Sequence, residues 1–177
     1  VALFAILFKY LPQKLEKVTG IYVLAMSLII LLTNITALRL ENYKISTPIG
    51  TIHTSKAYAE SSNQLIEYIN QNTKQDDKIV IFPEGMTINF LTARKSDDYY
   101  NSLLPLYIET FGEKKLIEHF KKNNPEYVIF NNLDMKDYYF RYICQDYALD
   151  FCAFVQNYYE LDSVIGDEFR YLIFKRK

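Results

Sequence analysis

The chain has no tryptophan, only two cysteines and two histidines, and five glycines and five prolines in 177 residues. Cys144 and Cys152 lie far in sequence from His53 and His119, so none of the spacings that ligate zinc is present. The two cysteines are eight residues apart. Along one continuous helix that is about 12 Å, beyond the reach of a disulfide, so both are expected to serve as small core hydrophobes. Excess positive charge is also missing. Twenty Lys and Arg stand against 21 Asp and Glu, for a net charge of -1, which excludes the basic face that a nucleic-acid partner requires. The charges are interleaved, as on a solvated surface. Internal repeats and low-complexity segments are absent.

Apolar residues make up 50% of the chain, and they crowd into the first forty positions. The length allows one ordinary domain, or a smaller domain with a membrane segment. The chain starts inside an apolar run without methionine, which gives the expectation of a fragment of something longer. Residues 1–8 are the tail of that run, and 9–17 are a short polar loop containing Pro12. Residues 18–38 then carry no charge over about 30 Å of potential helix, the hydrocarbon thickness of a bilayer. This is expected to be a transmembrane helix, with Asn34 near its end reaching headgroups or a neighbouring helix. The sequon-like Asn34-Ile35-Thr36 is too deep to be modified. Lys9, Lys14 and Lys17 occupy the loop, whereas Arg39 and Lys44 flank the other end beside Glu41. The positive-inside rule places the loop in the cytoplasm and the remainder outside.

The expected class is α/β: the C-terminal transmembrane helix of a longer protein, within residues 1–40, followed by a small exterior domain over 41–177. That domain should hold a mixed, partly parallel sheet flanked by helices. Residues 43–46 and 51–54 are short strand candidates around Thr47-Pro48-Ile49-Gly50. Ser55 is placed to cap a helix over 58–72, whose Leu65, Ile66 and Ile69 recur at helical spacing. With the strand at 79–82 this predicts a right-handed β-α-β unit. Further helices are expected over parts of 103–111, over 114–122 and over 148–155, the last with Leu149, Cys152, Ala153 and Phe154 inward. A second buried strand covers 127–130, and 161–174 reads as a closing antiparallel hairpin. Sixteen Tyr and 12 Phe, with tyrosine pairs at 99–100, 138–139 and 158–159, suggest carbohydrate stacking. Enrichment of Lys, Asn, Ile, Phe and Tyr together is better read as the signature of AT-rich codons.

The chain is organised around residues 79–94, I-V-I-F-P-E-G-M-T-I-N-F-L-T-A-R. Ile79, Val80, Ile81 and Phe82 suit a strand covered on both faces, and Pro83 and Gly85 stop it before a short helix at 87–92. Ligands of open α/β sheets collect beyond the carboxyl ends of the strands. Glu84, Asn89 and Arg94 are therefore candidate binding residues, joined by Asn131 and Asp134 after the second buried strand. Equally, Glu84 and Arg94 are placed to pair with each other or with turn amides.

The tetrapeptide F-P-E-G resembles a motif of glycerolipid acyltransferases, whose catalytic His has an Asp five positions on. Here Tyr58 stands five after His53 and Asn124 five after His119, so that pair is not assembled in the family's pattern. A second resemblance covers residues 19–174. A last membrane helix, a hairpin, a helix, a strand ending F-P-E-G, the run I-N-F-L-T-A-R, F-G-E-K-K-L-I-E and N-P-E-Y-V-I-F resemble the C-terminal region of bacterial GT-C membrane glycosyltransferases. These are relatives of the dolichyl-phosphate-mannose protein mannosyltransferases and the lipid A aminoarabinose transferases. The resemblance implies a multi-pass plasma-membrane protein that takes a sugar from a polyprenyl-phosphate carrier on the exterior or periplasmic side and passes it to an acceptor. The family's catalytic Asp lies in an early external loop, so no catalytic residue is expected here, and no cofactor or metal. The partners implied are the bilayer, an upstream membrane domain, the lipid-linked sugar and an acceptor. Glu84, Asn89, Arg94, Asn131 and Asp134 would contact the acceptor or dock the domain. The competing reading is a non-enzymatic, membrane-tethered module that binds a glycan or a protein.

Overall fold

The structure is a computed structural model that describes residues 13–40 and 42–177. The expected apolar segment at 1–8 lies outside the described residues, as do residues 9–12 of the expected loop. The chain divides into two compact units, split between Asn42 and Tyr43.

Among the described residues the first unit holds one helix, α1, Gln13–Leu40. It begins inside the stretch expected to be a loop, because nothing after Pro12 interrupts helical geometry. Lys17–Thr36 has a mean hydropathy of 2.1 and none of it is buried, so it is long and apolar enough to cross a membrane. Apolar residues are exposed all round it, Ile21, Leu24 and Leu31 among them, and a helix without a polar face has no water-facing side. Three of its polar side chains bond back to the helix's own carbonyls. Thr33 donates to the Ile30 carbonyl at 2.9 Å, Thr36 to that of Leu32 at 3.0 Å, and Asn34 to that of Ile30 at 2.7 Å. Asn34 thus turns back onto its own helix and not outward.

The second unit, Tyr43–Lys177, is a three-layer α/β domain. Strands β1 (Tyr43–Ser46) and β2 (Thr51–Thr54) pair antiparallel, and the Thr47 and Gly50 backbones close the turn between them. Helix α2 (Lys56–Asn72) follows. Ser55 stands at its cap with extended backbone but makes no side-chain cap bond. Then come β3 (Ile79–Phe82), α3 (Met86–Thr92), α4 (Pro105–Phe111), α5 (Glu113–Asn123) and β4 (Tyr127–Asn131). Helix α6 (Leu149–Tyr158), β5 (Tyr159–Ile165) and β6 (Tyr171–Arg176) end the chain.

The main sheet has the order β3-β4-β6-β5, with β3 and β4 parallel and the other pairs antiparallel. The β1-β2 hairpin forms its own two-stranded sheet, so α2 does not bridge two parallel strands as expected. The parallel unit closes one step later, from β3 through α3, α4 and α5 to β4. Ile45 is the one buried residue of the two hairpin strands and packs with α2; strands this short and polar add little to the central sheet.

Alternation along the strands sorts the core into two layers. Val80, Phe82, Val128, Phe130 and Phe174 face α4, α5 and α6, where Phe120 and Phe151 pack edge-on at 4.9 Å. Ile79, Ile81, Tyr127, Ile129, Tyr171 and Ile173 face α2 and α3. All of β3 and β4 is buried, as continuous apolar strands in the centre of a covered sheet should be.

The cysteines depart from expectation. Cys144 and Cys152 form a disulfide with Cα atoms 5.5 Å apart. The helix begins only at Leu149, and Cys144 lies before it in a turn with φ 67°. The chain folds back, so a separation computed along one helix does not apply. On α6 itself Phe151, Cys152, Phe154 and Val155 are buried, whereas Leu149 and Ala153 face solvent, a rotation of the inward face from the one expected.

Candidate functional site

Register places Phe82 beside Phe130, so the chain leaves β3 and β4 side by side at one edge of the sheet. After β3 come a cis Phe82–Pro83 bond and Gly85, which caps α3. A Cβ at position 85 would fall on Cβ of Ile81, so only glycine permits the turn to fold back this closely. The turn is held from outside as well. Leu103 N donates to the Pro83 carbonyl at 2.8 Å, Glu84 bridges to Ser102, and Asn131 Nδ2 donates to the Glu84 carbonyl at 2.8 Å.

Glu84 itself is exposed and enters a cavity of about 270 Å³ lined by Tyr58, Glu84, Gly85, Met86, Thr87, Asn101 and Ser102. The lining residues thus include one carboxylate, one phenol ring, one carboxamide and two aliphatic hydroxyls. Behind it, burial pushes the Tyr147 phenol above its ordinary range, and the Glu84 carboxylate adds to the shift. Tyr147 Oη is buried and has no hydrogen-bond partner among the described residues.

Of the five candidate residues, the structure brings two together. Asn131 is 5% exposed, and its side chain is spent on the scaffold: besides holding Glu84, its Oδ1 accepts from Leu133 N at 3.1 Å. Asp134 follows on the same edge, where its Oδ1 accepts from Lys136 N at 3.0 Å. Asn89 and Arg94 are at the other end of β3, because α3 runs back along the strand. Asn89 is buried and donates to the Ile79 carbonyl at 2.8 Å. Arg94 donates to Thr73 Oγ1 at 3.0 Å, to the Thr73 carbonyl at 3.2 Å and to the Thr92 carbonyl at 2.7 Å. Its fork therefore clamps the end of α2 to the end of α3 and does not pair with Glu84.

Tyr58, Asn101, Ser102 and Tyr147 join the site from three other segments. Nothing local in sequence marks them, since their only common property is that packing converges them on one turn. A second cluster also escapes a sequence reading. Asp97, 3% exposed, accepts from the backbone of Tyr99 at 2.8 Å and of Tyr100 at 2.7 Å, and contacts His119 Nε2 at 2.8 Å. It ties the loop after α3 to α5. Among the described residues no group of three or more His, Cys, Asp or Glu is arranged to hold a metal.

No protein-family model matches the chain, and no curated protein matches it in sequence.

Proposed function

We propose that this chain is the last membrane helix and exterior domain of an integral-membrane glycosyltransferase that moves a sugar from a polyprenyl-phosphate carrier to an exterior acceptor. In this reading the domain caps the membrane-embedded site, and the Glu84 cavity contacts the acceptor. The observation that carries the proposal is the grouping of the Glu84 carboxylate with the Tyr58 ring, the Asn101 amide and the Thr87 and Ser102 hydroxyls. Ring faces and convergent hydrogen-bonding groups are what a hydroxylated ligand needs. The helix has the length and composition of a membrane span. The Cys144–Cys152 disulfide suits an oxidising compartment, on the side of the bilayer to which the lysine-rich loop assigns the domain. A tethered binding module without catalysis would use the same cavity.

The test is a transfer assay on membranes containing the whole gene product, with a labelled polyprenyl-phosphate sugar and the cell envelope as acceptor. Transfer that falls at least tenfold in Glu84→Gln, and is absent from a polypeptide starting at Tyr43, is the expected result. Turnover by that polypeptide alone overturns the proposal. Binding of glycan by membranes that never transfer sugar identifies the module instead.

A further inference from the structure

We infer that a second cavity, beyond the carboxyl end of β4, binds a hydroxylated ring carrying a single carboxylate, the class of the hexuronic acids, with Arg170 holding the carboxylate. The cavity is about 400 Å³ and is lined by Phe130, Asn132, Tyr142, Gln145, Arg170 and Leu172 among others. That is near the lower end of small-molecule sites, roughly 300–1,000 Å³, so the ligand is of monosaccharide or disaccharide size.

The walls are fixed by the protein's own bonds. On one side Asn132 N donates to the Arg170 carbonyl at 3.1 Å, and Arg170 N donates to Asn132 Oδ1 at 2.7 Å. Asn132 Nδ2 donates to the Glu168 carbonyl at 3.0 Å. On the other side, Cys144 is anchored to α6 through Cys152. The turn is closed by Gln145 N donating to the Tyr142 carbonyl at 3.3 Å and by Arg141 N donating to Asp146 Oδ2 at 2.7 Å. The Arg141 guanidinium lies 5.2 Å from the centre of the Tyr142 ring and holds that ring in place. A site built this way loses little entropy when it is filled.

The charge inside is unbalanced. Among the described residues no acid lines the cavity. The Arg170 guanidinium donates to the Asp167 carbonyl at 3.3 Å and forms no ion pair among the described residues. Its planar fork matches a carboxylate bidentately. One guanidinium among neutral amides offsets one negative charge, whereas a phosphate dianion would leave its second charge unmet. Gln145 brings a carboxamide to the lining for ring hydroxyls, and Phe130, Leu172 and Tyr142 supply apolar surface for the C–H face of a sugar ring. The inference stands on this cavity and does not require the transferase reading.

The experiment is isothermal titration of the full chain in lipid nanodiscs with glucuronate, glucose and inorganic phosphate at neutral pH. Glucuronate should bind at least tenfold tighter than glucose, and Arg170→Gln should abolish that preference. Arg170→Lys, which keeps the charge and loses the fork, should weaken glucuronate several-fold. Melting curves of both variants verify the fold, and Lys122→Gln serves as a distant control of equal charge change. Equal binding of glucuronate and glucose, no glucuronate binding at millimolar concentration, an Arg170→Gln variant that binds like the parent, or displacement by lower concentrations of phosphate would each overturn the inference. Sugar transfer is read separately, so intact transfer without glucuronate binding sinks this inference alone.

Discussion

Asn131 Nδ2 and the Glu84 carbonyl lie 2.8 Å apart, so the end of one parallel strand holds the end of its neighbour at the point where a carboxylate projects outward. The two residues have opposite duties. Asn131 is buried with both ends of its amide engaged, and its loss leaves the Glu84 carbonyl and the Leu133 N–H unpaired. Asn131→Ala should therefore cost about 1–3 kcal/mol. Glu84 is exposed, and its carboxylate forms no hydrogen bond or ion pair among the described residues. Glu84→Gln should leave the melting temperature unchanged while acceptor binding or sugar transfer falls. Melting curves beside a binding isotherm for the two variants check this, and a destabilised Glu84→Gln would assign the carboxylate to the scaffold.

Gly85 offers a test of the turn itself. A Cβ there would collide with Cβ and Cγ2 of Ile81 and lie 3.0 Å from the Ile81 carbonyl oxygen. Ile81 is 1% exposed, so it has no free direction in which to move. Gly85→Ala should destabilise the domain by about 1–3 kcal/mol, the usual cost of overpacking, and should move Glu84 as well. At Gly50 such a Cβ would have nothing within 4 Å among the described residues, and Gly50→Ala should be close to neutral. Thermal melts of the two variants give the comparison.

The same contrast explains how far the sequence is legible. The run Ile79 to Phe82, the apolar run Tyr127 to Phe130, the hairpin around Pro48 and Gly50, and the spacing of Leu65, Ile66 and Ile69 all carry local periodicity, and each yields its element within a few residues. Strand pairing does not follow from periodicity. The β1-β2 hairpin stands apart from the main sheet, and β6 inserts between β4 and β5, because burial against α2 and the return of the closing hairpin decide those places. At the site, spacing alone groups Glu84 with Asn89 and Arg94. The reversal of direction at Gly85 then carries the latter two to the far end of the strand, where Ile79 and Thr73 take up their donors. Tyr58 and Asn101 reach Glu84 only through tertiary packing.

The disulfide is the next point of attack. It closes a short loop around the turn that holds Cys144 at φ 67°, a left-handed conformation that a non-glycine residue adopts at some cost. For a loop of this size the restriction of the unfolded chain contributes roughly 2–3 kcal/mol. Cys152→Ser, or reduction of the parent, should lower stability by about that amount and should loosen residues 142–147 before the rest of the domain. Hydrogen exchange with and without reductant distinguishes a local loosening from a uniform one.

Alkali should unfold the domain through its buried phenols. Tyr159 is 1% exposed and donates to the Pro125 carbonyl at 3.0 Å. Burial is the main reason its pKa is pushed up to about 12, with Arg176 opposing and Glu126 reinforcing the shift. Burial likewise raises Tyr171, which bonds Ser62 at 3.0 Å inside the core. A folded-state pKa above the unfolded value of about 10 means that the unfolded chain releases its proton first. The stabilisation is therefore complete below about pH 10 and is lost as pH rises toward about 12. Melting temperature should hold steady below the lower limit and fall between the two. Tyr159→Phe should lose the bond to Pro125, about 1 kcal/mol at neutral pH, yet decline less steeply in alkali than the parent. Parallel slopes for the two proteins between about pH 10 and about pH 12 would show that Tyr159 does not carry the effect.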